Sequence, residues 1–268
     1  MTYKPIVSVL MTAFNRERFI SEAIESVLAS SLKDFELIIV DDCSTDRTLD
    51  TAKSYALKDD RIKLFSNEQN LGDYPNRNKA ASYATGKYLK YLDSDDVIYP
   101  YGIETMVKAM EAFPEAGFGL AALPEPARKY PVCISPKEIF LEHFSGFRHF
   151  DRAPGSSILR RDVFEKEGGF SGERMVGDLE LWLRLGKKYS MVKFPFGLYW
   201  NRLHEGQEYK SAYAEKIYPK RTSELINRAL NDAGCPLDEM EKKKIFSHLK
   251  RENQKAKIKR SLRKMTGR

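Results

Sequence analysis

Short apolar runs alternate with amphipathic ones along the first 120 or so residues. Ile6 to Thr12 is brief, apolar and β-branched, which predicts a buried strand. Phe19, Ile20, Ala23, Ile24, Val27 and Leu28 follow at the spacing of one helix face. Phe35 to Val40 reads as a second buried strand ending on Asp41-Asp42, and Ser44, Thr45 or Asp46 is placed to cap a helix running to about Leu57. Arg61 to Phe65 predicts a third strand. A helix from about Pro75 to Ala84 carries its proline in the first turn and stops at Gly86. Tyr88 to Leu92 is a fourth strand, ending on Asp93-Ser94-Asp95-Asp96; Tyr99 to Ala112 is helical, and Gly117 to Leu123 is a fifth strand.

This strand–helix alternation predicts an α/β fold with a mostly parallel sheet and helices on both faces. Ligands of such sheets bind beyond the carboxyl ends of the strands. Thr12 to Asn15, Asp41-Asp42 and Asp93 to Asp96 all fall at those ends. From Pro124 to Pro154 five prolines weaken the periodicity, predicting a loop-rich insert with a short helix near Lys137 to His143. A strand (Ser156 to Leu159), a short helix (Arg161 to Lys166), a helix over Asp178 to Lys188 with Leu181, Trp182 and Leu185 inward, and an extended stretch (Val192 to Tyr199) complete the body. After Gln207 the pattern is helical, broken at Gly234-Cys235-Pro236.

Composition narrows the possibilities. The chain has 268 residues, 42% of them hydrophobic, enough for a sizeable core in one large domain or two small ones. No apolar run approaches the ~18–20 residues of a membrane span. Ile6 to Phe14 is interrupted by Ser8 and Thr12 and followed by Asn15-Arg16-Glu17-Arg18, unlike a secretory leader, so a cytoplasmic location is expected. Cys43, Cys133 and Cys235 have no zinc-like spacing and fit reduced thiols. Gly117 to Ala122 fits G-x-G-x-x-A, but a proline-rich segment follows where a dinucleotide site needs a helix. The four histidines accompany no nucleophile-elbow serine. The net charge of +7 is local: residues 241–268 hold 12 Lys or Arg against two Glu, which leaves −3 for the rest.

The acidic strand end is the chemically pointed feature. Carboxylates at i and i+2 suit a hard cation such as magnesium or manganese that also carries phosphate oxygens. The competing reading is helix capping by Ser94 or Asp95. Asp41 would lie at the carboxyl edge beside Thr12 and Phe14, where a carboxylate, a hydroxyl and an aromatic face suit a nucleobase. Arg77, early in its helix, is either a solvated charge or a guanidinium for a nucleotide or phosphate.

The runs VSVLMTAFNRERFISEAIESVLAS, FELIIVDDCSTDRT and NLGDYPNRNKAASYATGKYLKYLDSDD, continued through GSSILRRDVFEKEGGF, GDLELWLRLGKKY and YWNRLH, resemble family 2 glycosyltransferases of the GT-A fold over about residues 5 to 205. The resemblance implies a catalytic domain over 1–205, with a nucleotide half to about 98 and an acceptor half over 99–205, and a basic helical extension over 206–268. It implies a nucleobase pocket at Thr12, Phe14 and Asp41, with Asn15 and Arg77 close by and Ser94 in the donor-binding turn. Asp93 would meet the ribose or the metal, Asp95 would ligate a divalent cation (Mn2+ or Mg2+), and His204 matches a histidine that in several members reaches the metal or diphosphate. Asp178 matches the aspartate of a Glu-Asp pair that serves as catalytic base. Gly177 stands where Glu is usual, Cys43 where Gly or Ala is common, and Asp73-Tyr74-Pro75-Asn76 where small residues are usual.

The expected reaction is direct, inverting transfer of a sugar from a nucleotide-diphosphate donor, most simply a UDP-sugar, to an acceptor hydroxyl of a glycan or lipid-linked molecule, in a bacterial surface-polysaccharide setting. A nucleotidyltransferase is the alternative enzyme, but it would carry a glycine-rich basic loop where Ala13-Phe14-Asn15-Arg16 stands. A catalytically silent sugar-nucleotide-binding or scaffold protein is the alternative outside enzymes. Helix capping by Asp178 is compatible with a catalytic role; Glu180 reads as structural and Trp182 as core. In the basic tail, Ile245, Phe246, Leu249, Ile258, Leu262 and Met265 form a thin apolar stripe, so the segment is either a solvated tail or a surface for an anionic membrane. Nucleic acid is not an expected partner, because no recognition motif is present.

Overall fold

The structure, a computed structural model, describes residues 4–122, 128–205, 207 and 211–266, with the backbone alone at 253 and from 256 onward. An eight-stranded sheet has the order β3-β2-β1-β4-β8-β6-β9-β7. Its strands are β1 (Val7–Ala13), β2 (Phe35–Asp41), β3 (Ile62–Ser66), β4 (Tyr88–Tyr91), β6 (Phe118–Ala122), β7 (Val132–Ile134), β8 (Ser157–Arg160) and β9 (Met191–Pro195). Six of the eight run one way; β8 and β7 run against them. The alternating half thus forms the parallel sheet expected of it. The strand after the proline-rich insert returns antiparallel and wedges between β4 and β6, a pairing that apolar periodicity alone does not specify. Leu123 and residues 124–127 of the predicted fifth strand and insert, and residues 208–210 after Gln207, lie outside the described residues.

Period-2 alternation assigns the two faces of the sheet. Val9, Met11, Leu37 and Ile39 point to one side, where α1 (Ile20–Leu28), α2 (Thr48–Ala56) and α4 (Gly102–Glu111) cover them. Leu10, Ile38, Val40, Leu89 and Tyr91 point to the other, toward α3 (Asp73–Ser82), α5 (Pro136–Glu142), α6 (Arg161–Lys166) and α7 (Gly177–Gly186). Trp182 on α7 is fully buried, lies parallel to Phe118 and donates its indole N–H to the Arg152 carbonyl at 2.7 Å. Glu180 grips Arg184 one turn on, at 2.9 and 3.0 Å. Both residues play the structural roles read from the sequence. The Gly117 to Ala122 run is mostly β6 and opens no helix.

Helices α8 (Ala212–Asn231) and α9 (Glu239–Thr266) complete the second core rather than trailing from it. Leu225, Ala229, Leu230, Leu237 and Ile245 join the cluster around Trp182, with Phe246 and Leu249 packed against it. Lys187–Asp232 at 2.8 Å and Lys137–Glu241 at 2.9 Å pin the same surface. Half of the apolar stripe in the basic tail is therefore spent on the body; the side chains of Ile258, Leu262 and Met265 lie outside the described residues.

A two-stranded ribbon matters most for function. β5 (Val97–Ile98), just after the acidic turn, pairs antiparallel with β10 (Tyr199–Trp200). This pairing carries residues 201–204 back to the carboxyl ends of the strands.

Candidate active site

The acidic turn is free of capping duty: α4 begins only at Gly102, beyond β5. Asp93, Asp95 and Asp96 each place a carboxylate oxygen within 4.8 Å of the others. Their surroundings divide the work. Asp96 is buried and accepts from Asn201 Nδ2 at 3.1 and 3.0 Å and from the Arg202 N–H at 3.0 Å. Burial, with Asp93 and Asp95 adding to it, lifts its carboxyl to about 7. Asp96 is thus the anchor of the 201–204 strap, a role the sequence did not reveal because its partner lies 105 residues away.

The strap delivers His204. Its Nε2 lies 2.9 Å from Asp95 Oδ2, its Nδ1 2.6 Å from the Glu205 carbonyl oxygen, and its ring against Phe19. A carbonyl only accepts, so Nδ1 carries the hydrogen and the Nε2 lone pair of a neutral ring faces a carboxylate oxygen. That contact is favourable only with a proton or a cation shared between them. Two neighbouring ligands of one octahedral ion with bonds of about 2.1 Å lie about 3 Å apart, close to this separation. The acidic cluster therefore fits a divalent cation that Asp93 and Asp95 would hold, with His204 placed beside Asp95. Arg16 completes the cluster with Nε on Asp95 Oδ2 at 2.8 Å. Its sequence signal was only its place one residue beyond the strand-end motif.

The neighbouring strand ends hold the other expected residues. Asp41 is buried and accepts from the Ser44 N–H through Oδ2, while Oδ1 has no hydrogen-bond partner among the described residues. Thr12 is half-buried near it and Phe14 is 44% exposed. Asn15 adopts a left-handed backbone (φ 52°) and accepts from the Thr45 N–H at 2.9 Å. Cys43 is also left-handed (φ 63°), a conformation that favours glycine. Ser94 is buried beneath the turn.

Helix α3 joins this edge to the expected base. Asp42 accepts from the N–H groups of Leu71 and Gly72 at 2.9 Å each and so fixes the start of the helix. One turn in, Arg77 is buried and paired with Asp73 and Asp93 at 2.7 Å each. Burial opposes its charge, but the two carboxylates more than offset this. The guanidinium therefore sits against the acidic turn, and it is not a solvated charge. Asn78 ties the helix to Phe170 through two backbone hydrogen bonds. Tyr74 reaches Asp178, which lies in the first turn of α7 behind a left-handed Met175 (φ 75°). Asp178 does not cap that helix; it accepts from the Leu179 N–H at 2.7 Å. Burial pushes its carboxyl up to about 6. A separate concavity of about 490 Å³, lined by Lys4, Asp34, Thr85 and Arg161, opens at the opposite, amino end of the parallel strands, away from these groups.

The family model described as glycosyl transferase family 2 matches residues 8–168. The chain belongs to this family. EpsE of Bacillus subtilis, which is named as a glycosyltransferase, is 35% identical over 195 residues, covering 69% of this chain and 68% of EpsE. The Escherichia coli enzyme WfgD, named as a UDP-Glc:alpha-D-GlcNAc-diphosphoundecaprenol beta-1,3-glucosyltransferase, is 38% identical over 105 residues, 39% of this chain and 41% of WfgD. Among solved structures, S. aureus TarS 1-349 in complex with UDP-GlcNAc aligns with a TM-score of 0.66 at 21% identity, over 89% of this chain and 70% of that one. The Pyrobaculum calidifontis mannosyltransferase PcManGT, in complex with GDP-Man and Mn2+, aligns with a TM-score of 0.66 at 18% identity, over 92% and 69%. Family 2 is a transferase family, and the two structural likenesses establish that the chain shares the GT-A fold.

Proposed function

We propose that this family 2 member is an inverting glycosyltransferase that uses a nucleotide-diphosphate sugar, a UDP-sugar in the first instance, and passes the sugar to a glycan or lipid-linked acceptor in bacterial surface-polysaccharide synthesis. One observation carries the reading. Asp95 and His204, 109 residues apart, meet on the sheet edge where Asp41 keeps a buried carboxylate oxygen without a hydrogen bond among the described residues and α3 brings Asp178 close. The names of WfgD and of the TarS complex support the uridine donor, and WfgD supports a lipid-linked acceptor.

In this reading Asp41 Oδ1 accepts a ring N–H of the base, Phe14 offers a stacking face, and Thr12 and Asn15 line the pocket. Arg77 and the Asp93-Ser94-Asp95 turn face the donor. Asp93, Asp95 and His204 would hold a divalent cation, manganese or magnesium, whose positive charge would serve the leaving diphosphate. Asp178 takes the proton of the acceptor hydroxyl as its oxygen bonds to the anomeric carbon and the bond to the diphosphate breaks, which inverts that carbon. A carboxyl held near 6 is ionised at neutral pH and more basic than an ordinary aspartate.

The test is release of UDP from UDP-glucose and UDP-GlcNAc with manganese. Wild type is expected to turn over, and Asp95→Ala and Asp178→Asn to lose at least a hundredfold. Unchanged turnover in both variants would overturn the site assignment, and binding of donor without turnover in wild type would point to the silent-binding alternative. The location we propose is cytoplasmic, with peripheral contact to an anionic membrane through 241–268. Lys243, Lys244, Lys250 and Arg251 are exposed on α9 while Ile245 and Leu249 face the body, so charge supplies that contact among the described residues. Wild type and a variant with Lys243→Glu, Lys244→Glu, Lys250→Glu and Arg251→Glu should then differ in co-sedimentation with anionic vesicles; equal recovery would overturn the contact.

A further inference from the structure

Tyr74 and Gly177 lie on different helices, yet each shapes what the other is allowed to be. A Cβ built on Gly177 comes 2.7, 2.8 and 2.9 Å from Cε2, Cδ2 and Cζ of the Tyr74 ring, closer than real Cβ contacts. The backbone of Gly177 is not left-handed, so no conformational need for glycine exists there. The constraint is steric and comes from one ring. That ring has little room to move: Tyr74 is 6% exposed and packs against Phe170, centroids 5.1 Å apart.

The ring ends in a hydroxyl that meets Asp178 twice. Oη donates to Asp178 Oδ1 at 3.3 Å and accepts from the Asp178 backbone N–H at 3.2 Å. With the Leu179 N–H also on Oδ1, that oxygen is committed, and Oδ2 takes no hydrogen bond among the described residues. The tyrosine thus fixes the carboxylate plane and leaves one oxygen for an incoming hydroxyl.

We propose that Tyr74 is the positioning residue of Asp178, and that Gly177 exists to admit its ring. The proposal rests on Asp178 being the base. It makes two apparent irregularities, a bulky aromatic at the start of α3 and a missing side chain before the base, a single paired device. The groups facing Asp178 are Asp73, Tyr74 and Arg77 from α3 and Tyr218 from α8. Of these, Tyr74 is the one that hydrogen-bonds its side chain among the described residues.

The test combines a titration, a stability cycle and turnover. Tyr74→Phe keeps the ring and removes Oη. The carboxyl carbon resonance of Asp178, assigned by its loss in Asp178→Asn, should titrate about half to one pH unit higher in Tyr74→Phe, because a hydrogen bond to the charged form is gone. With UDP-glucose and manganese, kcat should fall about three- to tenfold with the donor KM unchanged, the loss expected from one weak hydrogen bond. Gly177→Ala should lower Tm in the Tyr74 background and not in the Tyr74→Ala background. An unshifted titration in Tyr74→Phe, or the same cost of Gly177→Ala in both backgrounds, overturns the proposal while leaving Asp178 as base. Full turnover by Asp178→Asn removes the base reading itself, and with it any positioning role.

Discussion

A carboxyl lifted from its ordinary 3.8 to about 6 by burial makes Asp178 a stability liability that can be measured without a substrate. The folded state holds the proton more tightly than the unfolded chain does. Stability contributed by the protonated form is therefore full below pH 4 and falls as pH rises from about 4 to about 6, levelling off above. Keeping the carboxylate charged at pH 8 costs about 3 kcal/mol on this basis, at 1.36 kcal/mol per tenfold change in proton affinity. Asp178→Asn removes the charge and retains the geometry, since an amide oxygen still accepts from Leu179 N–H and Tyr74 Oη. The amide is neutral at every pH, so the variant should exceed wild type by about 1–3 kcal/mol at pH 8, roughly 2–10 °C in Tm for a chain of this size, and match it near pH 4. Urea denaturation of both proteins from pH 4 to 8 gives the difference directly. Asp96 titrates in a neighbouring range, but its contribution is common to both chains and cancels. A difference that is flat with pH, or a variant less stable than wild type at pH 8, would refute the burial argument.

Other expectations follow from the same geometry. Asp96→Ala releases the hydrogen bonds to Asn201 and Arg202, so His204 drifts from Asp95, and manganese affinity by isothermal titration should fall at least tenfold; an unchanged affinity would show that the strap is irrelevant to the cation. Trp182→Ala empties a fully buried site and should cost about 3–5 kcal/mol in chemical denaturation, far more than an acceptor-surface residue would. Ile245→Ala should cost about 2 kcal/mol, because α9 docks on the body; a solvated tail would show no loss. Asp42→Ala orphans the N–H groups of Leu71 and Gly72, and a loss of about 2–4 kcal/mol with weakened donor binding is expected by melting and by calorimetry.

The sequence by itself determined the alternating strands and helices, the edge where ligands collect and the carboxylates standing there. The physical reason is that these depend on local periodicity: Val9 and Met11 against Leu10, or Asp93 against Asp95, are read within a few residues. What tertiary structure decided was pairing across distance. Strand β8 slipping antiparallel between β4 and β6, Asp96 clamping Asn201, and the Tyr74 ring filling the space beside Gly177 join segments about 40 to 105 residues apart. A hydrophobic pattern states which face of an element is buried but not which neighbour buries it. The tail is the plainest case. Its stripe at helical spacing suits a membrane surface and the body's own core equally well, and it is the packing of Leu237, Ile245 and Leu249 beside Trp182 that assigns that half of the stripe to the core.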